Sequence, residues 1–514
     1  MSDRPMTAPF VEIMDTTLRD GEQTPGVSFS AREKLGIARM LLEEVRADRI
    51  EIASARVSEG ELEAVELITR WAGERGLLDR VEALGFVDNG VSIEWLSRAG
   101  CRTVNLLCKG SLRHCRGQLG KSPEEHRDDI LHNISLARSR GMRVNVYLED
   151  WSNGMAHSPE YVYALTGALH EAGIDRIMLP DTLGILNPAD TERYCRLMTE
   201  RWPGARFDFH PHNDYDLSVA NAEAAVRAGI RGIHTTVNGL GERAGNAPLA
   251  SVVAVLHDQA RVRTGICEGA INRISRLVET YAAVHIPANR PVVGENVFTQ
   301  CAGIHADGDN KGGLYINELL PERFGRAREY ALGKTSGRAN IRKNLEALGI
   351  QLDESSMQKV TQRIIELGDK KEQVTAEDLP YIISDVLRQG MHGDSVKILN
   401  YSLSLAYGLK PVATLKIDIG GRQYEETSTG DGQYDAFMRA LRKIYKTQLG
   451  REFPMLKNYS VTIPPGGKTD AFVQTIITWE FRGETFKTRG LDADQSEAAI
   501  KATIKMLNKI EKQA

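Results

Sequence analysis

Residues 206–214 read RFDFHPHND, a short run of strand-forming residues that ends in polar ones. Successive side chains of a strand point to opposite faces, so His210 and His212, two apart, project from one face and can reach a single divalent ion. Seven further runs of this kind punctuate the preceding and following sequence: VEIMDTTL from Val11, RIEIA from Arg49, VEALGFV from Val81, TVNLLCKG from Thr103, RVNVYLED from Arg143, RIMLPDTLG from Arg176 and GIHTTVNGLG from Gly232. Segments with helical periodicity separate them, SPEEHRDDILHNISLARSRG being one. Eight strand-helix units in about 280 residues predict an α/β chain that begins with a (β/α)8 barrel. An open Rossmann-type sheet also alternates strands and helices, but no G-x-G-x-x-G follows the first strand.

The remaining sequence is too long for that barrel alone. At 514 residues two or three folding units are expected. The barrel takes residues 1–290. Over 291–393 the pattern changes to Gly-rich loops (GENVFTQCAGIHADGDNKGG) and then helical segments, SGRANIRKNLEALG and DESSMQKVTQRIIELG, which form a mostly helical linker region. Residues 394–514 hold an internal repeat, in which VATLKIDIGGRQYEETSTGDGQYDAFMRALRKI resembles FVQTIITWEFRGETFKTRGLDADQSEAAIKATIKML, with Gly421 matching Gly483 and Gly430 matching Gly490. A duplicated ββα unit buries its helix face poorly alone, so two copies are expected to pack together as an α+β domain, within a chain or across a dimer.

Composition narrows the function classes. Hydrophobic residues make up 41% and charged residues 26%, and a formal net charge of -4 leaves no basic excess for a phosphate backbone, so nucleic acid is not an expected partner. No stretch approaches the roughly 20 apolar residues of a membrane helix, and MSDRPMTAPF lacks the apolar core of a secretory signal. A cytoplasmic protein without a membrane partner is expected. The six cysteines (101, 108, 115, 195, 267 and 301) form no C-x-x-C pair and suggest neither a disulfide framework nor a zinc knuckle.

Polar residues gather at the C-terminal ends of the strand-like runs, where barrels of this kind carry their sites: Arg19-Asp20, Glu149-Asp150, Asp181-Thr182 and His210/His212. Two histidines and a carboxylate make a facial site with open positions, and Asp20 is the candidate carboxylate. Arg19 offers a permanent charge to an oxygen that becomes negative, provided the chain has already turned at Gly21 so that neighbours share a face. In NGLGERAGNAPL the glycines permit close backbone approach and Asn246 offers an amide oxygen to the same ion. Glu149 is the candidate base. Each has a bland counterpart of equal spacing: a wet barrel mouth for the histidines, a surface pair for Arg19-Asp20, a plain turn for the glycine loop and a solvated carboxylate for Glu149.

Three longer motifs, DTTLRDGEQTPG, FHPHNDYDLSVANAEAAVRAG and VNGLGERAGNAPL, resemble the signatures of the 2-isopropylmalate, citramalate and homocitrate synthases, the DRE-TIM metallolyases. The resemblance runs through GENVFTQCAGIHADGDNKGGLY and the repeated C-terminal segment, and so covers essentially the whole chain. It implies a TIM barrel that condenses acetyl-CoA with a 2-oxoacid. It further implies a divalent ion (Mn, Zn, Mg or Co) on Asp20, His210, His212 and Asn246, with Arg19 on the keto oxygen and Thr182 on the substrate carboxylate. The acid completing the first motif is expected nearby, as Glu22. His305, Asp307 and Tyr315 are expected at the same site, from this subunit or its partner in a homodimer.

The positions that sense the acceptor's side chain look like Leu84, Leu107 and Tyr147, all large, which favours the methyl of pyruvate over the isopropyl of 2-oxoisovalerate. VNLLCKGS and YLEDWSNG depart from isopropylmalate synthases toward citramalate synthases, which implies (R)-citramalate as product and isopropylmalate as the alternative. The C-terminal repeat resembles the allosteric domain of these enzymes and implies a branched-chain amino-acid effector, isoleucine or leucine respectively, near Tyr434, Asp435, Leu456, Tyr459, Ile463, Thr469 and Val473. A degenerate barrel joined to an amino-acid sensor is the non-enzymatic alternative.

Overall fold

A computed structural model describes residues 8–333, 336–369, 374, 379, 382, 383, 386, 395–462, 473–492 and 494–511. Eight strands, β1 (Glu12–Asp15), β2 (Arg49–Ser54), β3 (Val81–Phe86), β4 (Thr103–Lys109), β5 (Arg143–Glu149), β6 (Arg176–Asp181), β7 (Phe207–Pro211) and β8 (Gly232–Thr235), form a closed barrel in sequence order. β8 pairs in parallel with β1, Ile13 opposite Ile233 and Met14 opposite His234. The expected barrel is therefore present. Helix starts are fixed locally: Ser30 with Glu33 and Ser122 with Glu125 form reciprocal capping boxes, the second with Pro123 in the first turn.

Alternation divides each strand between two environments. In β5, Val144, Val146 and Leu148 join the buried layer between strands and helices, while Tyr147 joins a separate cluster with Met14, Leu84 and Met178. The inner face is unusually polar. At the N-terminal end the Arg49 guanidinium, 6% exposed, meets Glu82 at 3.1 Å, Glu12 at 3.4 Å and the Asp208 carboxylate. Arg176 bridges the same Asp208, at 3.2 Å, and Glu12. Below this floor a cavity of about 350 Å³ opens, lined by Arg143, Arg176 and Glu12 among others, at the end away from Arg19 and His210. Buried charges survive only when paired, so the floor is a mutually dependent set.

Up to Gln300, and again over Gly308–Glu329, the chain forms one compact unit, and the other described residues form a second. Within the second, the helices Arg338–Ala347 and Glu354–Asp369 share a small core of Ile341, Leu345, Met357, Val360 and Ile364. Farther on, two three-stranded antiparallel sheets, Val396–Ser404/Val412–Ile419/Arg422–Thr429 and Met455–Thr462/Val473–Phe481/Glu484–Asp492, each precede a helix, Gln433–Lys443 and Gln495–Glu511. The duplicated ββα units are there, each with one additional leading strand. Those leading strands lie at sheet edges, and although Ile398, Tyr401, Leu403, Leu456 and Tyr459 face the core, a register shift at Ile398/Asn400 and at Leu456/Asn458 interrupts the two-residue stride a sequence reading relies on. Leu415, Ile417 and Phe437 of the first repeat share one core with Ile477, Trp479 and Met506 of the second. Among the described residues no helix is long and apolar enough to cross a membrane.

The floor makes a direct prediction. Arg49→Met would leave Glu82 and Asp208 buried without their shared cation, and should lower stability by about 3–5 kcal/mol, read as a fall in the thermal midpoint of the barrel's unfolding transition.

Candidate active site

The chain turns tightly where β1 ends. The amides of Arg19, Asp20 and Gly21 all donate to the Thr16 carbonyl, at 3.2, 2.9 and 3.1 Å. Asp20 is accordingly in the right-handed helical region, φ -75° and ψ -38°. This turn is what lets adjacent Arg19 and Asp20 face one site. It is stitched to the loop after β8, since Val237 donates its amide to Thr17 Oγ1 at 2.8 Å and Gly241 donates to Thr24 Oγ1 at 2.7 Å. In that loop Gly241 (φ +151°) and Gly245 (φ +83°) have no room for a side chain: a Cβ would lie 2.2 Å from Asn246 Nδ2 and 1.9 Å from the Gly239 carbonyl oxygen.

β7 raises His210 and His212 into the same space. Asp20 Oδ2 lies 3.0 Å from His210 Nε2 and 3.8 Å from His212 Nε2, and the ligand-type atoms of all three buried residues fall within 4.8 Å of one another. Asn246 pairs with His212 through an isolated antiparallel bridge and spends its Nδ2 on the Leu240 carbonyl at 3.1 Å. Asp20 Oδ2, His212 Nδ1 and Asn246 Oδ1 are buried without a hydrogen-bond partner in the structure. Unsatisfied lone pairs on neighbouring buried residues suit a divalent cation, and the converging imidazoles and carboxylate, with the adjacent amide oxygen of Asn246, are the donor types that fit one.

The electrostatics favour the ligand forms. Burial pushes His210 below the ordinary histidine value and His212 down to about 4, so both rings are neutral at pH 7. Burial alone would raise Asp20, but Arg19, 3.3 Å away, together with His210 and His212, holds it well below the usual carboxylate range. Arg19 is gripped on its other side by Glu51 of β2, Nε to Oε2 at 2.6 Å, and by the Tyr147 hydroxyl at 3.3 Å.

The first-motif acid is thereby corrected. Glu22 does not meet Arg19: its carboxylate accepts from the Phe29 amide at 2.8 Å and pairs at 2.6 Å with Lys34 of the helix α1 (Ala31–Arg39). Two residues beyond Asp20 the chain has turned outward, whereas Glu51 sits on the inner face of the neighbouring strand. Lys34, wholly buried, also donates to the Leu18 carbonyl at 3.1 Å and pairs with Glu61 of α2 (Glu59–Glu74), tying the catalytic turn to two helices.

The other expected residues divide into groups. Leu84, Tyr147 and Leu107 do come together, in an inner-barrel apolar patch with Met14 and Met178, and the Arg19 guanidinium stands 5.5 Å from the Tyr147 ring centroid. Glu149 ends β5 with its carboxylate paired to Lys109 at the end of β4. Thr182 follows β6 and accepts from the Asp150 amide at 2.8 Å, its hydroxyl hydrogen pointing elsewhere. His305 and Asp307 lie on the short helix Gly303–Asn310, in the second compact unit, and Tyr315 belongs to the first with its ring against Gly308. Tyr434, Asp435, Leu456 and Tyr459 line a cavity of about 620 Å³ in the C-terminal domain. Val473 opens a strand opposite Asp492, and Ile463 and Thr469 fall outside the described residues. Glu51, Asp208, His234 and Lys34 were not singled out in the sequence, although Asp208 shares the two-residue stride of His210 and His212.

Comparison with known proteins divides the chain in three. Residues 10–278 match the family described as HMGL-like, 292–372 the homocitrate synthase post-HMGL domain-like family, and 373–511 the LeuA allosteric (dimerisation) domain. A Methanopyrus kandleri protein assigned as an (R)-citramalate synthase is 36% identical over 469 residues, 91% of this chain and 89% of its own length. Another from that organism, assigned as a 2-isopropylmalate synthase, is 35% identical over 97% of this chain and 98% of its own. The (R)-citramalate synthase of Methanocaldococcus jannaschii is 32% identical over 97% and 99%.

With His212 neutral down to about pH 4, protons should compete little with a cation at pH 6.5. Mn2+ binding, followed by the loss of its free-ion electron paramagnetic resonance signal, is expected to persist at that pH and to weaken as the pH falls further and the two imidazoles take up protons. His210→Ala should weaken it on the order of 100-fold or more at pH 7.

Proposed function

We propose, since this chain belongs to the HMGL-like family, that it is an (R)-citramalate synthase, condensing acetyl-CoA with pyruvate and hydrolysing the product thioester to (R)-citramalate and CoA. The observation that carries the reaction class is the convergence of Asp20, His210 and His212, with lone pairs left over, beside the buried cation Arg19. Asp20, His210, His212 and Asn246 would hold a divalent ion, which when bound would supply Lewis acidity toward a 2-oxoacid. Arg19, fixed by Glu51 and Tyr147, then places a permanent positive charge against the keto oxygen as it becomes an alkoxide. Thr182 keeps a hydroxyl hydrogen for the substrate carboxylate. Glu149 takes a proton from the acetyl methyl group, the resulting carbanion forms the new bond to the keto carbon, one proton returns to the alkoxide to give the hydroxyl, and water adds to the thioester carbonyl and expels CoA as the thiol. His305, Asp307 and Tyr315 are further residues for the same reaction in a homodimer.

The acceptor's identity rests on the patch beside Arg19. Leu84 and Tyr147 are 3% and 2% exposed, and with Met14, Met178 and Leu107 they fill the inner barrel. A methyl group suits that space better than an isopropyl group. Relatives of both names match at similar identity, so the patch is the discriminating feature. In the C-terminal domain the cavity is lined by the apolar groups of Tyr434, Met438, Leu456 and Tyr459 together with the charged Asp435 and Arg442, chemistry that suits an amino acid with a branched aliphatic side chain. Isoleucine as feedback inhibitor follows from the pyruvate assignment.

A thiol-release assay with acetyl-CoA and a panel of 2-oxoacids tests both levels. Pyruvate should be the fastest acceptor; release with none of them would sink the enzyme assignment, and faster release with 2-oxoisovalerate would sink the citramalate one. Leu84→Ala, by opening the patch, should shift the kcat/KM ratio toward 2-oxoisovalerate by at least about 10-fold. Isoleucine should slow the wild-type reaction, and Tyr434→Ala should blunt that inhibition without removing thiol release.

A further inference from the structure

Beneath the metal cluster three side chains form a chain down the barrel axis. His210 Nδ1 faces His234 Nδ1 at 3.3 Å, and His234 Nε2 faces Asp208 Oδ2 at 3.2 Å. All three are buried: β7 carries Asp208 and His210, and β8 carries His234. Tyr147 closes the arrangement, with its hydroxyl 3.1 Å from His234 Nδ1, 3.3 Å from Glu51 Oε2 and 3.3 Å from an Arg19 nitrogen.

Hydrogen-bond accounting fixes where the hydrogens sit. Asp208 receives permanently charged donors from Arg49 and Arg176, so its carboxylate is ionised and only accepts. His234 Nε2 must then carry a hydrogen. A neutral His234 is left with a lone pair on Nδ1, which both the Tyr147 hydroxyl at 3.1 Å and His210 Nδ1–H at 3.3 Å can reach; with Tyr147 turned to Glu51, His210 fills it. Tyr147, receiving Arg19 on its oxygen, is free to donate to Glu51. Every donor in this assignment meets an acceptor, and the lone pairs of His210 Nε2 and Asp20 Oδ2, 3.0 Å apart, are the ones left over for a cation. The opposite tautomer of His234 would aim a lone pair at the Asp208 carboxylate and a hydrogen at the Nδ1–H of His210, two repulsive contacts where no water enters.

We infer that Asp208 and His234 act as a positioning pair that holds His210 in its Nδ1–H tautomer, leaving Nε2 and its lone pair aimed at Asp20 and the ion. The inference rests on the metal reading given above. Partners of this type, which orient a metal-binding imidazole through its second nitrogen, typically contribute 10–100-fold to metal affinity. Here the partner is another imidazole, itself anchored to the charged floor, so the floor and the metal cluster are joined by an unbroken line of hydrogen bonds from Arg49 to His210.

The test is a Mn2+ titration of the full-length protein by electron paramagnetic resonance, with folding of each variant checked by circular dichroism. His234→Phe keeps the ring volume and removes both hydrogen bonds, and should raise the Mn2+ Kd by about 10- to 100-fold. His234→Asn leaves a void but retains an oxygen able to accept from His210 Nδ1–H, and should bind Mn2+ more tightly than His234→Phe. A purely packing role for His234 predicts the reverse order. An unchanged Kd for His234→Phe, or weaker binding by His234→Asn than by His234→Phe, would overturn the inference. Should His234→Phe not fold, His234→Gln replaces it: its longer amide reaches toward Asp208 and leaves His210 without an acceptor, so it should bind more weakly than His234→Asn, and equal binding by the two would count against the proposal. Failure of the wild-type protein to bind Mn2+ would remove the metal reading itself, an outcome distinct from wild-type binding that His234 substitutions leave untouched.

Discussion

A charged group inside a closed barrel has no water to turn to, and this constraint governs the interior from floor to mouth. Arg49 must find Glu82 and Asp208, Asp208 in turn accepts from Arg176 and His234, and Arg19 must find Glu51 and Asp20. None of these pairs is independent of the next. The consequence for chemistry is preorganisation: Arg19 is held by a carboxylate that is not its reaction partner, so its charge is oriented before any substrate arrives. Asp20 likewise stays ionised although buried, because cation and imidazoles surround it. The apolar part of the inner face, Met14, Leu84, Tyr147 and Met178, packs against this ionic column, with the Tyr147 hydroxyl within reach of Arg19 and Glu51, and provides shape rather than charge.

How much of this could be read from the sequence depends on whether a residue announces its partner. The strands were legible because their outward faces are aliphatic, as in Val144, Val146 and Leu148, and because helices begin at Ser-Pro-Glu-Glu and Ser-Ala-Arg-Glu cap signals. His210 and His212 were legible because a two-residue stride places both on one face. Arg49 and Glu51 were not: alternating charges in RIEIA ordinarily mark a solvent face, and only closure of the barrel turns that face inward. Lys34 was hidden for the same reason, since a lysine in an amphipathic helix is nearly always exposed. Glu22, three residues from Arg19, pairs with Lys34, whereas parallel pairing brings Glu51 to Arg19 from the adjacent strand, a partner that local sequence does not announce.

The C-terminal domain shows another kind of limit. Its duplication was plain from the matched glycines, and Gly421 and Gly483 do occupy the left-handed hairpin positions that require them, at φ +85° and +82°. The leading strand of each repeat is harder to read, because a register shift in its middle breaks the hydrophobic stride of its one core-facing side. Four of the seven anticipated effector residues border one cavity, an arrangement that depends on the two repeats sharing a core and could not be deduced from either alone.

The ionic floor also has a thermal meaning. Hydration of charged groups carries a strongly negative entropy, so the cost of taking Arg49, Arg176, Glu82 and Asp208 out of water shrinks as temperature rises, while the stabilisation gained per area of buried hydrocarbon levels off. A barrel knitted together by such a network is poorly rewarded in the cold and proportionately better held in the heat. The same residues that align His210 for its ligand thus set the temperature range over which that alignment is least loosened.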